Sequence, residues 1–344
     1  MKCSKKLILK YDKNDMLSLL KDFPKHCSNG YNFKIPSIKK NFKKVIFTGM
    51  GGSAISGDII KTIIEETGNI PVFCIRDYSL PSFVDNESLV VVESYSGNTE
   101  ETVNIYKLSR KKSSIMLCVS SNGEIEKMCK NDGIPLIKIP SGMPPRCALG
   151  YLLLPVYKFF VNLKILPELE NKFFEKLKKW VDEFLPEKES NLAIQIAENF
   201  YKKVPIIYSE NRFYPGILRW KTQIAENSKS FSFINVLPEM NHNEIMSFNF
   251  PKWFIKNIVV LFIISDMENE RVRKRIEITE KIISNKINQV LKIKLKGDTL
   301  FEKLLYLIIL GDWVSFYLGI LNKVNPTEIK EINILKEELQ KGGR

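Results

Sequence analysis

The stretch SLVVVESYSGNTEET, residues 88–102, decides how this chain folds. Its first half, SLVVVES (88–94), is predicted to be a strand, because its continuous apolar run is typical of a strand buried on both faces of a parallel sheet. Its second half enters a helix through three hydroxyl side chains, a glycine and an asparagine. Asn98 is predicted to cap this helix, and Glu101 to close a capping box three residues later. The same turn is also suited to hold an anion, and the two roles are compatible.

The same kind of strand recurs along the chain, with helical segments between the strands. Alternation of this kind predicts an α/β protein with two doubly wound domains, each a parallel β-sheet flanked by helices. We expect an N-terminal extension and helix at 1–24, a first domain at 25–155, and a second domain with C-terminal helices at 156–344. The other predicted strands cover residues 43–50, 71–76, 114–121, 134–140, 204–210, 258–265 and 289–295.

The composition argues against several classes of protein. With 44% hydrophobic and 26% charged residues, the chain has the composition of a globular protein. Its net charge is +13, since 43 lysines and 9 arginines outnumber 39 acidic residues. The basic residues are spread along the chain and form no zinc-finger or basic-zipper pattern, so no nucleic-acid partner is expected. The longest apolar stretch, 304–321, is interrupted by Asp312. It is predicted to be a buried amphipathic helix, and no membrane partner is expected.

The six cysteines are scattered and form no C-x-x-C pair. Neither a zinc site nor a disulfide framework is therefore predicted. The first residues turn charged before an apolar region of secretory length develops. These features together favour a cytoplasmic location.

A second glycine-rich turn, GMGGSAISGD (49–58), follows the first predicted strand. In open α/β sheets, ligands bind outside the carboxyl ends of the strands, where helix N-termini offer free N–H groups. Together with Ser94, Ser96 and Thr99 in the other turn, this segment favours an anion site, and a phosphate group on a small molecule is the expected occupant. The chain lacks both the G-x-G-x-x-G spacing and a P-loop, which disfavours NAD and ATP as ligands.

Three further segments contain side chains of catalytic type. In RWKTQIAENSKS (219–230), Glu226 and Lys229 share a helix face, and an exposed ion pair is the ordinary interpretation. The segment PEMNHNEI contains His242, one of two histidines in the chain, which would ordinarily be a solvated loop residue. The segment PSGMPPRCALGY places Arg146 just before a helix, either as a capping or surface residue or as a ligand-binding one.

Taken together, these motifs closely resemble the bifunctional phosphoglucose/phosphomannose isomerase family of archaea and some bacteria. The resemblance rests on GMGGSAISGD, SYSGNTEET, PPRCALGY, WKTQIAENSK, MNHNE and the ending LGDWVSFYLGIL with VNPTEIKEINILKEEL, and it runs from Asp22 to Leu339. It implies two sugar-isomerase (SIS) domains and a homodimer. It also implies the interconversion of fructose 6-phosphate with glucose 6-phosphate and with mannose 6-phosphate, without a metal or other cofactor.

The resemblance further implies roles for individual residues. Glu226 matches the base that carries a proton between C2 and C1 through a cis-enediol, and Arg146 would stabilise the enediolate. His242 matches a residue that opens the sugar ring from the other subunit. A C-terminal lysine that assists it is placed at Lys336, with Lys330 close by. The residues implied in substrate or phosphate binding are Gly52, Ser53, Ser94, Ser96, Thr99, Arg146 and Thr327.

Two alternative functions remain open from the sequence. SIS domains also occur in proteins that bind a sugar phosphate without transforming it. However, the first 40 residues are too few for the helix-turn-helix domain of such a regulator, and binding alone does not need Glu226 and His242 together. The chain also fits an isomerase of another sugar phosphate. Thr327 matches the position that leaves room for the C2 epimer, so the mannose activity depends on the shape of the pocket.

Overall fold

Two parallel β-sheets organise the chain, which confirms the predicted fold class. The computed structural model describes residues 3–38, 41–68 and 70–342. The chain divides into two compact units. The N-terminal unit comprises Lys21–Val181 and Gly297–Leu305, and the C-terminal unit comprises the residues up to Leu20, Asp182–Lys296 and those from Tyr306 onward.

The first half of the chain builds a five-stranded sheet in the order β2-β1-β3-β4-β5, with every neighbouring pair parallel. In chain order, its elements are α1 (Lys5–Tyr11), α2 (Met16–Lys21), α3 (Phe23–Tyr31), β1 (Lys44–Thr48), α4 (Gly52–Thr67), β2 (Val72–Ile75), β3 (Ser88–Ser94), α5 (Glu100–Lys111), β4 (Ile115–Ser120), α6 (Gly123–Asp132), β5 (Leu136–Lys138) and α7 (Leu149–Asn162). All residues of the central strand β3 are buried, which explains the continuous apolar run from Leu89 to Val92.

The second half builds a four-stranded sheet in the order β7-β6-β8-β9, again with parallel pairs. Its elements are α8 (Phe173–Glu183), α9 (Leu192–Phe200), β6 (Val204–Glu210), α10 (Tyr214–Ser228), β7 (Phe233–Leu237), α11 (Lys252–Ile255), β8 (Ile258–Ile264), α12 (Glu270–Ser284), β9 (Val290–Lys294), α13 (Leu300–Leu321) and α14 (Lys330–Gly342). The sequence did not predict β7, because this edge strand is only partly buried and Phe233 is 47% exposed.

Helix α13 is the long apolar segment, and every residue from Leu300 to Leu321 is buried. It is the one helix in the described ranges that is long and apolar enough to cross a membrane, but full burial is what a core helix shows. The prediction of a buried helix is therefore confirmed. The prediction that it is amphipathic is wrong, because it is covered on all sides and has no solvent-facing stripe to be polar.

The observed division of the chain differs from the predicted domain boundary at 155/156. The segment after α7 still packs within the N-terminal unit: the Phe173 ring stacks on Phe301 with centroids 5.5 Å apart, and Lys176 Nζ lies 2.7 Å from Glu302 Oε1. Conversely, the first residues belong to the C-terminal unit, where the main-chain N–H of Cys3 donates to Glu198 Oε1 at 3.1 Å. Both differences from the predicted domains depend on contacts between residues that are distant in sequence, which local sequence patterns do not encode.

Candidate functional site

Two hydroxyl-bearing loops meet at the carboxyl edge of the N-terminal sheet. Loop 49–53 follows β1 and loop 94–99 follows β3, and these strands are direct neighbours with Thr48 opposite Val92. The main-chain N–H of Tyr95 donates to Ser53 Oγ at 3.3 Å, so one hydrogen bond joins the two loops. We call residues 49–53 and 94–99 the hydroxyl loops. Parallel pairing thus brings two segments that are distant in sequence to one edge, as the sequence predicted.

Loop 94–99 is held by hydrogen bonds among its own polar groups. Ser94 Oγ lies 3.0 Å from Thr99 Oγ1 and accepts the N–H of Gly97 at 3.1 Å. Ser96 Oγ accepts the N–H of Asn98 at 3.3 Å. Ser94 is buried, Thr99 is partly exposed and Ser96 is exposed. The loop therefore carries hydroxyl groups that differ in solvent exposure. They lie beside the N-terminus of α5, where unpaired N–H groups favour an anion.

The predicted capping box on α5 is wrong. Thr99 occupies the N-cap position, and its side chain makes no capping hydrogen bond. Asn98 Oδ1 instead accepts the N–H of Glu124, in the first turn of the neighbouring helix α6, at 2.9 Å. Asn98 therefore caps the next helix along the sheet, so its role depends on tertiary structure that the local motif does not reveal.

Arg146 lies against the start of α4. It sits in a 3-10 turn, Pro145–Cys147, and is only 3% exposed. A Cβ atom added to Gly52 would lie 3.2 Å from the Arg146 Cα, so the backbone of this turn packs closely on the first helical residue of α4. Gly52, Ser53, Ser94, Ser96, Thr99 and Arg146, all predicted from the sequence, thus belong to one unit around the hydroxyl loops.

Glu93 lies directly before loop 94–99 and was not singled out from the sequence. It is 1% exposed, and its carboxyl group hydrogen-bonds to Ser56 in α4. Burial raises the pKa of Glu93 to about 8, against a smaller lowering by the hydrogen bond with Ser56; the charge of Asp58 raises it further. A carboxyl group directly after the apolar run 89–92, still within the strand, was the sequence signal that could have revealed it.

Gly97 lies where loop 94–99 has no space for a side chain. Its φ is +68°, and a Cβ atom there would lie 1.7 Å from the Asn122 carbonyl oxygen. Gly133 offers a matched control, because its φ is +66° but nothing lies within 4 Å of an added Cβ. We expect Gly97→Ala to cost at least about 1–3 kcal/mol more than Gly133→Ala in the free energy of unfolding, measured by thermal denaturation. Equal losses would show that the loop relaxes freely.

In the C-terminal unit, Glu226 lies near the end of α10 and is partly exposed. Lys229 ends this helix in the left-handed conformation, with φ +55°. Its Nζ donates to the main-chain oxygens of Glu226 at 2.7 Å and Asn325 at 2.9 Å, and lies 3.4 Å from that of Pro326. The adjacent N–H of Thr327 donates to Asn325 Oδ1 at 3.1 Å. Lys229 therefore holds the loop that carries Thr327 against the helix end that carries Glu226.

Helix α10 is held against α13 by buried polar contacts. Arg219 forms two hydrogen bonds to Asp312, from Nε at 2.9 Å and from Nη2 at 2.8 Å. Gln223 Nε2 also donates to Asp312 Oδ1 at 2.9 Å, and Asn227 Nδ2 donates to Ser315 Oγ at the same distance. These contacts set the rotation of α10, and hence the direction in which Glu226 points. From the sequence alone, Asp312 is evident only as an interruption of the apolar run.

The remaining predicted residues lie on exposed parts of the C-terminal unit. His242 ends a 3-10 turn after β7 and is exposed. The same segment of chain exposes three large apolar side chains: Met246 (72%), Phe250 (75%) and Trp253 (70%). Lys336 and Lys330 are exposed on α14, which also exposes Ile332, Leu335 and Leu339.

Possible metal-ligating side chains are not clustered among the described residues. Within residues 3–38, 41–68 and 70–342, no three His, Cys, Asp or Glu side chains are grouped so that they could hold a metal ion. The six cysteines all lie in the described ranges, and they form no disulfide bond with one another. The prediction of a metal-free reaction stays a prediction.

Comparison with known proteins places the chain among sugar-phosphate enzymes. Residues 40–134 match the SIS domain family, and residues 189–339 match the bacterial phospho-glucose isomerase C-terminal SIS domain. The bifunctional phosphoglucose/phosphomannose isomerase of Caldicellulosiruptor bescii is 36% identical over 316 residues, covering 90% of this chain and 93% of that protein. The enzyme of the same name from Aquifex aeolicus is 36% identical over 302 residues, 87% of this chain and 91% of that protein. A hypothetical protein of Thermus thermophilus shares the fold, with a TM-score of 0.75 over 98% of this chain and 92% of that chain at 15% identity.

Proposed function

Since the chain belongs to the bifunctional phosphoglucose/phosphomannose isomerase family, we propose that it is an aldose–ketose isomerase that interconverts fructose 6-phosphate with glucose 6-phosphate and with mannose 6-phosphate. The observation in the structure that carries this proposal is the pair of hydroxyl loops, joined by the bond from Tyr95 to Ser53. A non-catalytic sugar-phosphate-binding role is not favoured, because the curated relatives that match most of the chain are enzymes.

The phosphate group of the substrate would bind at the hydroxyl loops. Ser53, Ser94, Ser96 and Thr99 supply hydroxyl donors, and the N-termini of α4 and α5 supply N–H groups and the positive ends of their helix dipoles. Gly52 has no side chain between the start of α4 and the Arg146 turn, which lets the backbone approach the ligand.

Glu226 would carry the proton in the isomerisation. Starting from fructose 6-phosphate, its carboxylate removes a proton from C1, and the electron pair of that bond forms the C1–C2 double bond of a cis-enediol. The negative charge moves to the former carbonyl oxygen at C2, where the Arg146 guanidinium would stabilise it. The proton then returns to C2, the hydroxyl proton at O1 is lost as the aldehyde forms, and O2 is protonated. Protonation of one face of C2 yields glucose 6-phosphate, and mannose 6-phosphate would form when the enediol turns its other face at C2 toward the same carboxylate.

The choice between the two epimers would lie with Thr327. Lys229 places the loop of Thr327 beside the helix end of Glu226, so the residue that limits space at C2 is held near the proton carrier. Lys336 would assist ring opening. Lys330 is the alternative for this role; its Nζ lies 3.4 Å from Glu328 Oε2.

We further propose a homodimer in which His242 opens the sugar ring in the partner subunit. His242 is exposed, and three large apolar side chains that follow it in sequence are at least 70% exposed, which is typical of a surface that is covered in an assembly. We also propose a cytoplasmic location, in keeping with six described cysteines that form no disulfide bond.

The proposed activity is tested by offering fructose 6-phosphate alone, with chelator present, and identifying the products. Formation of both glucose 6-phosphate and mannose 6-phosphate is the expected result. Glucose 6-phosphate alone would remove the role given to Thr327. Saturable binding of fructose 6-phosphate without any product would show that the protein is a binding module, and loss of activity with chelator would show that a metal takes part.

Whether His242 acts in its own subunit or in the partner subunit is tested by mixing two variants that are expected to be inactive, Glu226→Gln and His242→Ala. In a two-fold symmetric dimer, a mixed pair contains one site with both defects and one intact site if His242 acts across the interface. Subunit exchange should then restore about a quarter of the wild-type activity, because about half of the dimers are mixed and each has one intact site. No restoration, with exchange verified by mass spectrometry, would place His242 in the same subunit as its Glu226.

A further inference from the structure

The buried carboxyl group of Glu93 takes part in a short hydrogen-bonded chain beneath the hydroxyl loops. Ser56 Oγ lies 2.9 Å from the main-chain oxygen of Ser53 and also within hydrogen-bond reach of Glu93 Oε2. Ser53 in turn carries the hydroxyl group that accepts the N–H of Tyr95. The chain therefore runs from Glu93 through Ser56 to the first turn of α4, where the phosphate group is proposed to bind.

The number of available hydrogens indicates whether Glu93 is protonated in this hydrogen-bonded chain. A serine hydroxyl has one hydrogen, yet Ser56 Oγ contacts two acceptor oxygens. If Ser56 donates to the Ser53 carbonyl oxygen, the second contact is a hydrogen bond only when Glu93 Oε2 itself carries a hydrogen and donates it to Ser56. A protonated Glu93 thus satisfies both contacts, whereas an ionised Glu93 leaves one of them without a hydrogen.

The surroundings of Glu93 also favour the neutral acid. Its other oxygen, Oε1, is buried and has no hydrogen-bond partner, which is costly for a carboxylate. The gap between Glu93, Ser53, Gly57 and Cys74 is too small for a water molecule, so water cannot compensate. Burial accordingly raises the pKa of Glu93 to about 8.

The charged and titratable groups that face Glu93 do not compensate for a charge on it. From α4 comes Asp58, which adds negative charge and is ion-paired with Arg76 after β2. From β2 comes Cys74, whose thiol pKa is raised by burial and by Asp58, so it stays neutral. The backbone of Arg146 packs on the start of α4, and the proposed mechanism assigns its guanidinium to the substrate.

We propose that Glu93 is a positioning residue that is held as a neutral carboxylic acid beneath the hydroxyl loops, and that its ionisation in alkaline solution weakens the binding of phosphate dianions there. This inference rests on the proposed phosphate site. A negative charge at Glu93 repels the dianion through a region of low polarity, and it also withdraws the Ser56 hydroxyl from Ser53. The upper pH limit of substrate binding is therefore set by the proton on Glu93, through KM rather than kcat.

The test measures the binding of glucitol 6-phosphate by calorimetry at pH 7.0 and pH 9.5. This compound cannot isomerise, and a phosphate monoester with a second pKa of about 6 is already a dianion over this range. We expect the Kd of the wild-type protein to rise at least about fivefold between the two pH values, as a buried charge near a dianion demands. In Glu93→Gln, which keeps the shape and a donor for Ser56, the Kd should change less than about twofold. Glu65→Gln removes an exposed carboxylate near the far end of α4, where it pairs with Lys61, and should behave like the wild type.

Several outcomes would overturn the proposal. Wild-type binding that does not weaken at pH 9.5 would show that the proton on Glu93 has no such role, and a Glu93→Gln variant that weakens as much as the wild type would assign the effect to another group. If Glu93→Gln does not fold, infrared spectroscopy of the wild type still decides: the carbonyl band of a buried carboxylic acid should be present at pH 7.0 and lost at pH 9.5. No binding at either pH would overturn the proposed phosphate site, and the infrared band would then decide separately whether Glu93 is protonated.

Discussion

Glu226→Gln should lower kcat for the isomerisation of fructose 6-phosphate by about 10²–10⁴-fold, the range found when a positioned general base is removed. Glutamine keeps the size of the side chain and its place at the end of α10, but it cannot accept and return the proton. Both products should be lost together, because a single carboxylate is proposed to serve both epimers. The kcat is measured with fructose 6-phosphate as the only substrate, and binding of glucitol 6-phosphate is measured alongside.

A matched control is Glu277→Gln, which removes an exposed carboxylate on α12 that lies 3.4 Å from Lys274. This variant should retain wild-type kcat. Glu226→Gln should still bind glucitol 6-phosphate, since the hydroxyl loops belong to the N-terminal unit. Normal turnover by Glu226→Gln would exclude the Glu226 carboxylate as the base. Loss of only one product would require separate bases for the two epimers.

Asp312→Asn should destabilise the protein by about 3–5 kcal/mol, because it leaves the buried Arg219 guanidinium without its counter-charge. Arg219 is 2% exposed, and both of its hydrogen bonds to Asp312 are buried. We expect the loss to appear as a fall of roughly 10 °C in the midpoint of thermal unfolding. The double variant Arg219→Met/Asp312→Leu should recover most of it, since apolar groups of similar volume can replace a buried ion pair.

The exposed pair of Lys274 and Glu277 again supplies the comparison. Glu277→Gln should change the free energy of unfolding by less than about 0.5 kcal/mol, because exposed ion pairs contribute little. A loss below about 1 kcal/mol in Asp312→Asn would mean that the Arg219 charge finds solvent or another partner. A double variant as unstable as the single one would show that the polar contacts, including that of Gln223, cannot be replaced by packing.

The sequence predicted the strands best where a single physical cause decides their pattern. β3 has the predicted bounds, Ser88–Ser94, because a strand covered on both faces needs apolar residues throughout. β7 escaped prediction because an edge strand is only half buried and its sequence carries no clear period. The segment after α7 and the first residues are grouped by contacts between residues more than 100 positions apart, such as Phe173 with Phe301, and no local pattern encodes these.

In the candidate site, too, features that depend on local sequence were predictable, and features that depend on tertiary contacts were not. The hydroxyl loops follow from composition and from the rule that parallel strands end at one edge, so the serines and threonines of loop 94–99 were predictable from the sequence. The cap that Asn98 gives to α6 was not, because it depends on which helix lies beside the loop. Arg219 and Asp312 are 93 residues apart and could be paired only once α10 and α13 were seen together.

The Lys229 ammonium group has a consequence for how this protein can change over evolution. It binds the end of α10 and the loop before Thr327 through main-chain oxygens, so the two segments move together whatever their side chains are. Under the proposed mechanism, one segment selects the epimer and the other carries the proton. A mutation that reshapes the loop for a new sugar would therefore also displace the base, so substrate range and turnover cannot be selected independently while Lys229 is retained.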